Sequence, residues 1–375
     1  MKYPFLAVLP LCVTLCGMPL AGASDGQAGQ AKEVSPGQVR SAMRKVADWQ
    51  LAHPSKEKFN GWIQGAFLAG LCAADRVLPD AGYHDALLKI ADGSGWGLGP
   101  RVYHADDMCV GQAYLELYAR DRDPRMMAAM RERCDFILAH PKDGSLEFAG
   151  DASTDRWSWC DSLFMAPPAW ARLYAATGNR AYLDFMIANW WKTTAYLYDP
   201  SEHLYFRDST YFERTEPNGR KVFWSRGNGW VLAGLARVIP ILPADDPSRA
   251  RFEGLFREMA ARVAELQSTG GGWSSSLLDP DSCSPKTEAS GTGFYCFALA
   301  WGVNQGLLDR AVYGPRALMA WHALLECVTP EGRLTHVQPV GAAPKAFDPE
   351  STEAYGPGAF LLAGCEISRL VEPRL

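Results

Sequence analysis

Six times along its 375 residues the chain opens an apolar helix rich in glycine and alanine. This recurrence limits the possible folds more than any other feature. The openings are Gly61-Trp62, Asp107 to Gly111, Asp161, Gly229-Trp230, Gly293-Phe294 and Gly358-Ala359. Each except the last is followed by a more charged, amphipathic helix, and Ser35-Pro36 starts another ahead of the first. The spacing, about 50 to 70 residues, suits stacked helical hairpins. A helix apolar on most of its surface belongs inside, and an amphipathic one belongs outside with one face inward. Twelve helices in six pairs, with no polar capping pair at either end, predict closure into one (α/α)6 barrel rather than an open solenoid. In such a ring the starts of the inner helices converge on one rim.

The helices are placed by period and punctuation. They run from Pro36 through Leu51, Gly61 to Val77, His84 to Gly93, Asp106 to Tyr118, Pro124 to His140, after Asp161 to Thr177, and Arg180 to Leu197. Five more follow at about 229–242, 247–268, 292–308, 315–328 and 357–371. Pro167-Pro168 marks the first turn of the sixth or kinks it. Leu204 to Asp208 and Lys221 to Trp224 alternate as a small hairpin or two extended loops would. Three inner openings share a G-x-G pattern, at Gly227/Gly229, Gly291/Gly293 and Gly356/Gly358, and glycine permits close backbone approach there.

The N-terminus reads as a secretory signal over 1–23. Lys2 gives the positive start, Phe5 to Leu20 the apolar run, and Ala21-Gly22-Ala23 the small-residue cleavage site. Removing it takes the net charge from −5 to −6, because Lys2 is its only charge. Residues 24–34 form a polar, flexible lead-in, and 35–375 a single catalytic domain. No later stretch spans a bilayer, so no membrane contact is expected after cleavage. The protein is expected to be exported, to the periplasm or the medium. Its acidic balance excludes a nucleic-acid footprint. Seven scattered histidines form no HExxH, so no metal is expected. The eight cysteines after the signal form no CxxC and read as small buried hydrophobes.

Chemistry concentrates at the inner-helix starts. In Trp157 to Pro168, one carboxylate, Asp161, sits among two tryptophans, a phenylalanine and a methionine. Such surroundings favour the protonated acid, the central tool of sugar chemistry. The bland alternative is a helix cap. A second carboxylate site is Asp106/Asp107, of which Asp106 is the expected cap and Asp107 the freer group. The third cluster, Trp224 to Trp230, holds Arg226, whose guanidinium fork suits a carboxylate. Trp157, Trp159, Trp224 and Trp230 offer ring faces to a sugar.

Three motifs, His104-Ala105-Asp106-Asp107, Trp159 to Pro168 and Trp224 to Trp230, resemble those of the unsaturated rhamnogalacturonyl hydrolases. These form glycoside hydrolase family 105 and are related to the unsaturated glucuronyl hydrolases. The resemblance covers about 35–370 and implies an (α/α)6 barrel. It also implies removal of a 4,5-unsaturated uronic acid, galacturonyl or glucuronyl, from the non-reducing end of polysaccharide-lyase products. The aspartate matching Asp161 protonates C4 of the enol ether, and water activated by the same carboxylate adds at C5. The hemiketal then opens and releases the next sugar. Asp106 or Asp107 matches the second family aspartate. His104, Trp159, Met165, Trp224, Arg226 and Trp230 match substrate-contacting positions, and no metal or organic cofactor is implied.

One departure stands out. The family's rhamnogalacturonan-active members carry a histidine in a Tyr-His context after the seventh helix; this chain has Phe206-Arg207-Asp208. Arg207 is expected to replace that contact and change which sugar is accepted. The rival readings are a barrel glycosidase acting at an ordinary anomeric carbon, a sugar epimerase, and a sugar-binding protein without catalysis. Epimerases of this shape rely on barrel histidines, and only His104 stands beside a proposed site residue.

Overall fold

The computed structural model describes Met1 and residues 34–150 and 153–373. The expected signal after Met1 and the lead-in up to residue 33 lie outside the described residues. The helices are α1 Pro36–Ala52, α2 Trp62–Val77, α3 Tyr83–Gly93, α4 Gly111–Asp121, α5 Arg125–Ala139, α6 Ser162–Met165 and α7 Pro167–Thr177. They continue with α8 Arg180–Leu197, α9 Ser225–Val238, α10 Arg249–Glu265, α11 Ala289–Asn304, α12 Arg310–Glu326 and α13 Tyr355–Val371. None among the described residues is long and apolar enough to cross a membrane.

Packing sorts them into two rings. Each of α2, α4, α7, α9, α11 and α13 packs on the next, and α13 returns to α2. Outside them lie α1, α3, α5, α8, α10 and α12. Burial follows the expected division. Fifteen of the sixteen residues of α11 are buried, whereas α5 buries one stripe, Met126, Met130, Cys134 and Ile137.

Local chemistry sets the helix ends. Ser35 caps α1 through a capping box with Gln38, and Pro36 occupies the first turn, where its missing N–H costs nothing. Asn179 Oδ1 accepts from Ala181 N at 3.1 Å to start α8, and Gly178, at φ 72°, ends α7 in a left-handed turn that glycine adopts without strain.

The expected G-x-G pattern acquires a physical role. The second glycine of each pair faces the next inner helix in ring order. Gly229 meets Gly291, Gly293 meets Ala359, and Gly358 meets the Ala66 carbonyl of α2. At this last seam a Cβ on either Gly70 or Gly358 would overlap backbone of the other helix.

One local expectation is met and one is corrected. Pro167-Pro168 form the first turn of α7, one of the two expected roles, and a separate single turn, α6, precedes it and ends at Ala166, because neither proline has an N–H to continue the ladder. Leu204-Tyr205 pairs with Tyr198-Asp199 and not with 221–224. Lys221 bridges Thr215, and Trp224 bridges Ser276. The alternation was real, but the short turn at 200–203 gave the nearer partner. All eight described cysteines are free and buried, as the sequence predicted.

Gly358→Ala is expected to destabilise the protein by about 1–3 kcal/mol or more, the cost of overpacking a fixed backbone contact. Gly254→Ala, in open space within α10, is expected to stabilise it by about 0.5–1 kcal/mol. Denaturant unfolding of both variants checks the pair.

Candidate active site

The rim where the inner helices begin brings together three of the sequence clusters. Asp161 opens the single turn α6 and is 8% exposed. Its carboxylate makes no capping bond to that turn, so the bland reading does not describe it. Arg207 Nε lies 3.8 Å from Asp161 Oδ2, and the Cys160 thiol donates to the same oxygen at 3.5 Å. Burial raises the Asp161 pKa, opposed by Arg207 and then Arg226.

Asp106 stands in the 3₁₀ turn Ala105–Met108. Burial and then the charge of Asp161 push it up to about 7. Asp107 has the opposite environment. Arg101 grips its carboxylate at 3.1 and 2.7 Å and donates its backbone N–H at 2.6 Å. Burial works against ionisation, but these bonds win and hold Asp107 below its usual range. The expected division is therefore reversed. Asp106 is not the cap, since its own N–H is accepted by His104 Nδ1 at 3.2 Å. Asp107 is the carboxylate tied into the wall.

Arg207 is held in place by its neighbours. Its Nη1 donates to Asp208 at 2.6 Å, its guanidinium lies over Phe148 at 4.7 Å, and its carbonyl accepts from Cys160 N at 2.8 Å. Its Nε is buried without a hydrogen-bond partner. Arg226 is 1% exposed and sandwiched between Trp224 and Tyr355, 4.5 and 4.8 Å from their ring centres. Its Nη nitrogens donate to the Gln338 and Pro339 carbonyls at 2.5 and 2.9 Å. The fork expected to be open for a carboxylate is thus occupied by the loop before α13.

The aromatic cluster is also more enclosed than expected. Trp157, Trp159, Trp224 and Trp230 are only 1–5% exposed. The Trp159 ring meets His104 at 4.9 Å, Trp224 Nε1 donates to Gln338 at 2.8 Å, and Trp230 packs on Phe164 and Phe294. Met165 is buried beside them. These side chains form wall rather than open platforms. Sequence reasoning missed Gln338 and Tyr355, whose hydroxyl donates to the Gln338 carbonyl at 2.6 Å. It also passed over the stack of partly buried Trp62 on Tyr355, 5.3 Å between centres. Trp62 stands in one of the marked helix openings, Tyr355 lies two residues before the expected start at 357, and nothing in the pattern marked Gln338. Among the described residues no group of three His, Cys, Asp or Glu could hold a metal.

A model of glycosyl hydrolase family 88 matches residues 32–371. The chain belongs to this family. A curated relative from Formosa agariphila, named unsaturated 3S-rhamnoglycuronyl hydrolase, is 38% identical across 99% of this chain and 100% of that protein. A Bacteroides vulgatus member of family 88 superposes with a TM-score of 0.81 at 29% identity, covering 90% of this chain and 100% of that one. A solved structure named as a polysaccharide lyase gives 0.82 at 32% identity, over 91% and 99%. The family 88 chain is a glycoside hydrolase with the (α/α)6 architecture.

The raised Asp106 pKa has a cost to folding. A carboxyl that binds its proton more tightly when folded favours the fold below its unfolded pKa. That contribution disappears as pH rises through about 7. Asp106→Asn is therefore expected to stabilise the protein at pH 8, by roughly 1–4 kcal/mol, and to change little at pH 4. Unfolding midpoints at the two pH values test the sign.

Proposed function

We propose that this chain removes a 4,5-unsaturated uronic acid from the non-reducing end of lyase-made oligosaccharides, with Asp161 as the general acid and base. The observation that carries this is Asp161, buried at the rim without a capping bond and 3.8 Å from Arg207 Nε, with the partly buried Asp106 near enough for the Asp161 charge to raise its pKa. Burial raises the pKa of each, which favours a proton held at this site. Asp161 gives that proton to C4, the enol-ether electrons shift toward it, and positive charge develops at C5. Water adds at C5 and returns its proton to Asp161. The C5 hemiketal opens by breaking the C5–O5 ring bond, which leaves a ketone at C5 and a hemiacetal at C1. Collapse of that hemiacetal expels the neighbouring sugar as an alcohol and leaves an aldehyde at C1.

Arg207 limits how far the Asp161 pKa rises, its buried Nε 3.8 Å from that carboxylate. It is the cation we assign to sugar selection. Arg226 acts less directly, by fixing Trp224, Tyr355 and the 338–339 loop. His104, Trp159, Met165 and Trp230 shape the wall, and Asp107 braces the turn that carries Asp106. The relative's name favours a uronyl unit joined to rhamnose. The charged, apolar N-terminus supports export to the periplasm or medium, where lyase products arise.

The lyase name on one similar structure raises a second reading, β-elimination. It would create the conjugated double bond, whereas hydration destroys it. Ultraviolet absorbance over time decides by sign. Loss is expected on an unsaturated uronyl-rhamnose oligosaccharide, abolished by Asp161→Asn. A gain on saturated polymer would replace this reading with elimination. The rate is expected to fall as the solution is made alkaline and the raised carboxyl of Asp161 loses its proton. Arg207→Ala is expected to reorder rates across a panel of unsaturated oligosaccharides. An unchanged order would remove Arg207 from selection.

A further inference from the structure

The turn that carries Asp161 is short, and the chain immediately breaks it. Pro168 has no N–H, so the Phe164 carbonyl loses its normal helical donor, and Ala169 N turns to Ala166 at 2.9 Å. A buried carbonyl without a donor costs about 1–3 kcal/mol. In this molecule the vacancy is filled from another helix. Gln112, in α4 and 0% exposed, donates its Nε2 to the Phe164 carbonyl at 2.7 Å and reaches that of Met165 at 3.4 Å.

Gln112 is itself fixed. Its Oε1 accepts from Arg237 Nε, in α9, at 2.8 Å. Arg237 Nη2 donates to Glu116 at 2.6 Å, and Glu116 also pairs with Arg172 at 2.9 Å and Arg76 at 2.6 Å. Burial disfavours the Glu116 charge, yet Arg172, Arg237 and Arg76 hold its carboxyl well below the ordinary range. The anchor is therefore permanently charged, and it orients the amide so that the nitrogen faces α6. The other end of the turn is tied as well, by Cys160 N to the Arg207 carbonyl and Ser162 Oγ to the Trp159 carbonyl at 2.5 Å.

We propose that Gln112 is a positioning residue for catalysis, holding the broken α6–α7 junction from behind so that Asp161 keeps its reach to the substrate. It touches no substrate and acts only through the Phe164 carbonyl. This rests on the reading that Asp161 is the acid. Displacing a reacting group by about 1 Å can cost 10²-fold in rate while leaving binding intact.

The test uses Gln112→Met, which keeps length and removes the donor, and Gln112→Glu, which keeps an oxygen for Arg237 but turns a second oxygen toward the carbonyl. Both are assayed as the full protein by loss of ultraviolet absorbance on the oligosaccharide the wild type consumes. Folding is checked by circular dichroism. Expected is a fall in kcat of about 10- to 100-fold with KM within about threefold. Substrate affinity measured in the Asp161→Asn background is expected to be unchanged by adding Gln112→Met. Should both variants fail to fold, Arg237→Lys carries the same expectation, since it keeps charge on Glu116 and loses the bond to Gln112. Folded variants with wild-type kcat, or with raised KM alone, overturn the inference while an inert Asp161→Asn leaves the function standing. A fully active Asp161→Asn overturns both.

Discussion

The structure depends on inner helices that approach one another closely at glycines. Where Gly229, Gly293 and Gly358 face the next helix, even a single added Cβ would crowd Phe294, Ala359 and the Ala66 backbone in turn. Buried rings such as Trp230 of α9 and Phe294 of α11 pack against one another between these inner helices. Close approach also draws the helix starts together. Asp106 and Asp161, far apart in sequence, thereby come to sense one another's charge.

The two ends of the barrel handle charge in opposite ways. At the rim, carboxylates outnumber the cations free to meet them, because Arg226 is spent on loop carbonyls and Arg101 on Asp107. Burial therefore wins, and Asp161 and Asp106 hold protons more tightly than usual. Toward the ends of the same inner helices, three arginines surround the single carboxylate Glu116. Arg76 and Arg237 lie in last turns, where the helix dipole favours positive charge. One end is arranged to hold a proton, and the other stays ionised.

Much of the fold was legible because a ring of hairpins repeats its own signal. Apolar helices with glycine openings recur, and each recurrence supports the others. The site was legible by residue type and less so by role. Asp161, Asp106, Arg207 and the tryptophans all stand near the rim. The division of labour between Asp106 and Asp107 was not readable, because it depends on Arg101, which no helix-cap rule connects to Asp107. Arg226 looked free for the same reason: its partners are backbone carbonyls at 338 and 339, and a carbonyl has no letter in a sequence. Gln112 was hidden too. A single glutamine in an apolar helix carries no signal until the carbonyl stranded by Pro168 is seen beside it.

The α13–α2 seam has a consequence for how the molecule is made. Of the thirteen described helices, α2 is the second to be synthesised and α13 the last. Until Tyr355–Val371 has been synthesised, the apolar flank of α2 around Ala66 and Gly70 has no partner. Long-range closures of this kind are slow and leave hydrophobic surface uncovered meanwhile. The nascent chain thus carries an open, sticky edge for almost its whole synthesis, and losing one C-terminal helix would leave the ring permanently unzipped. A circular permutant that joins α13 directly to α1 would bring this slowest contact forward in time.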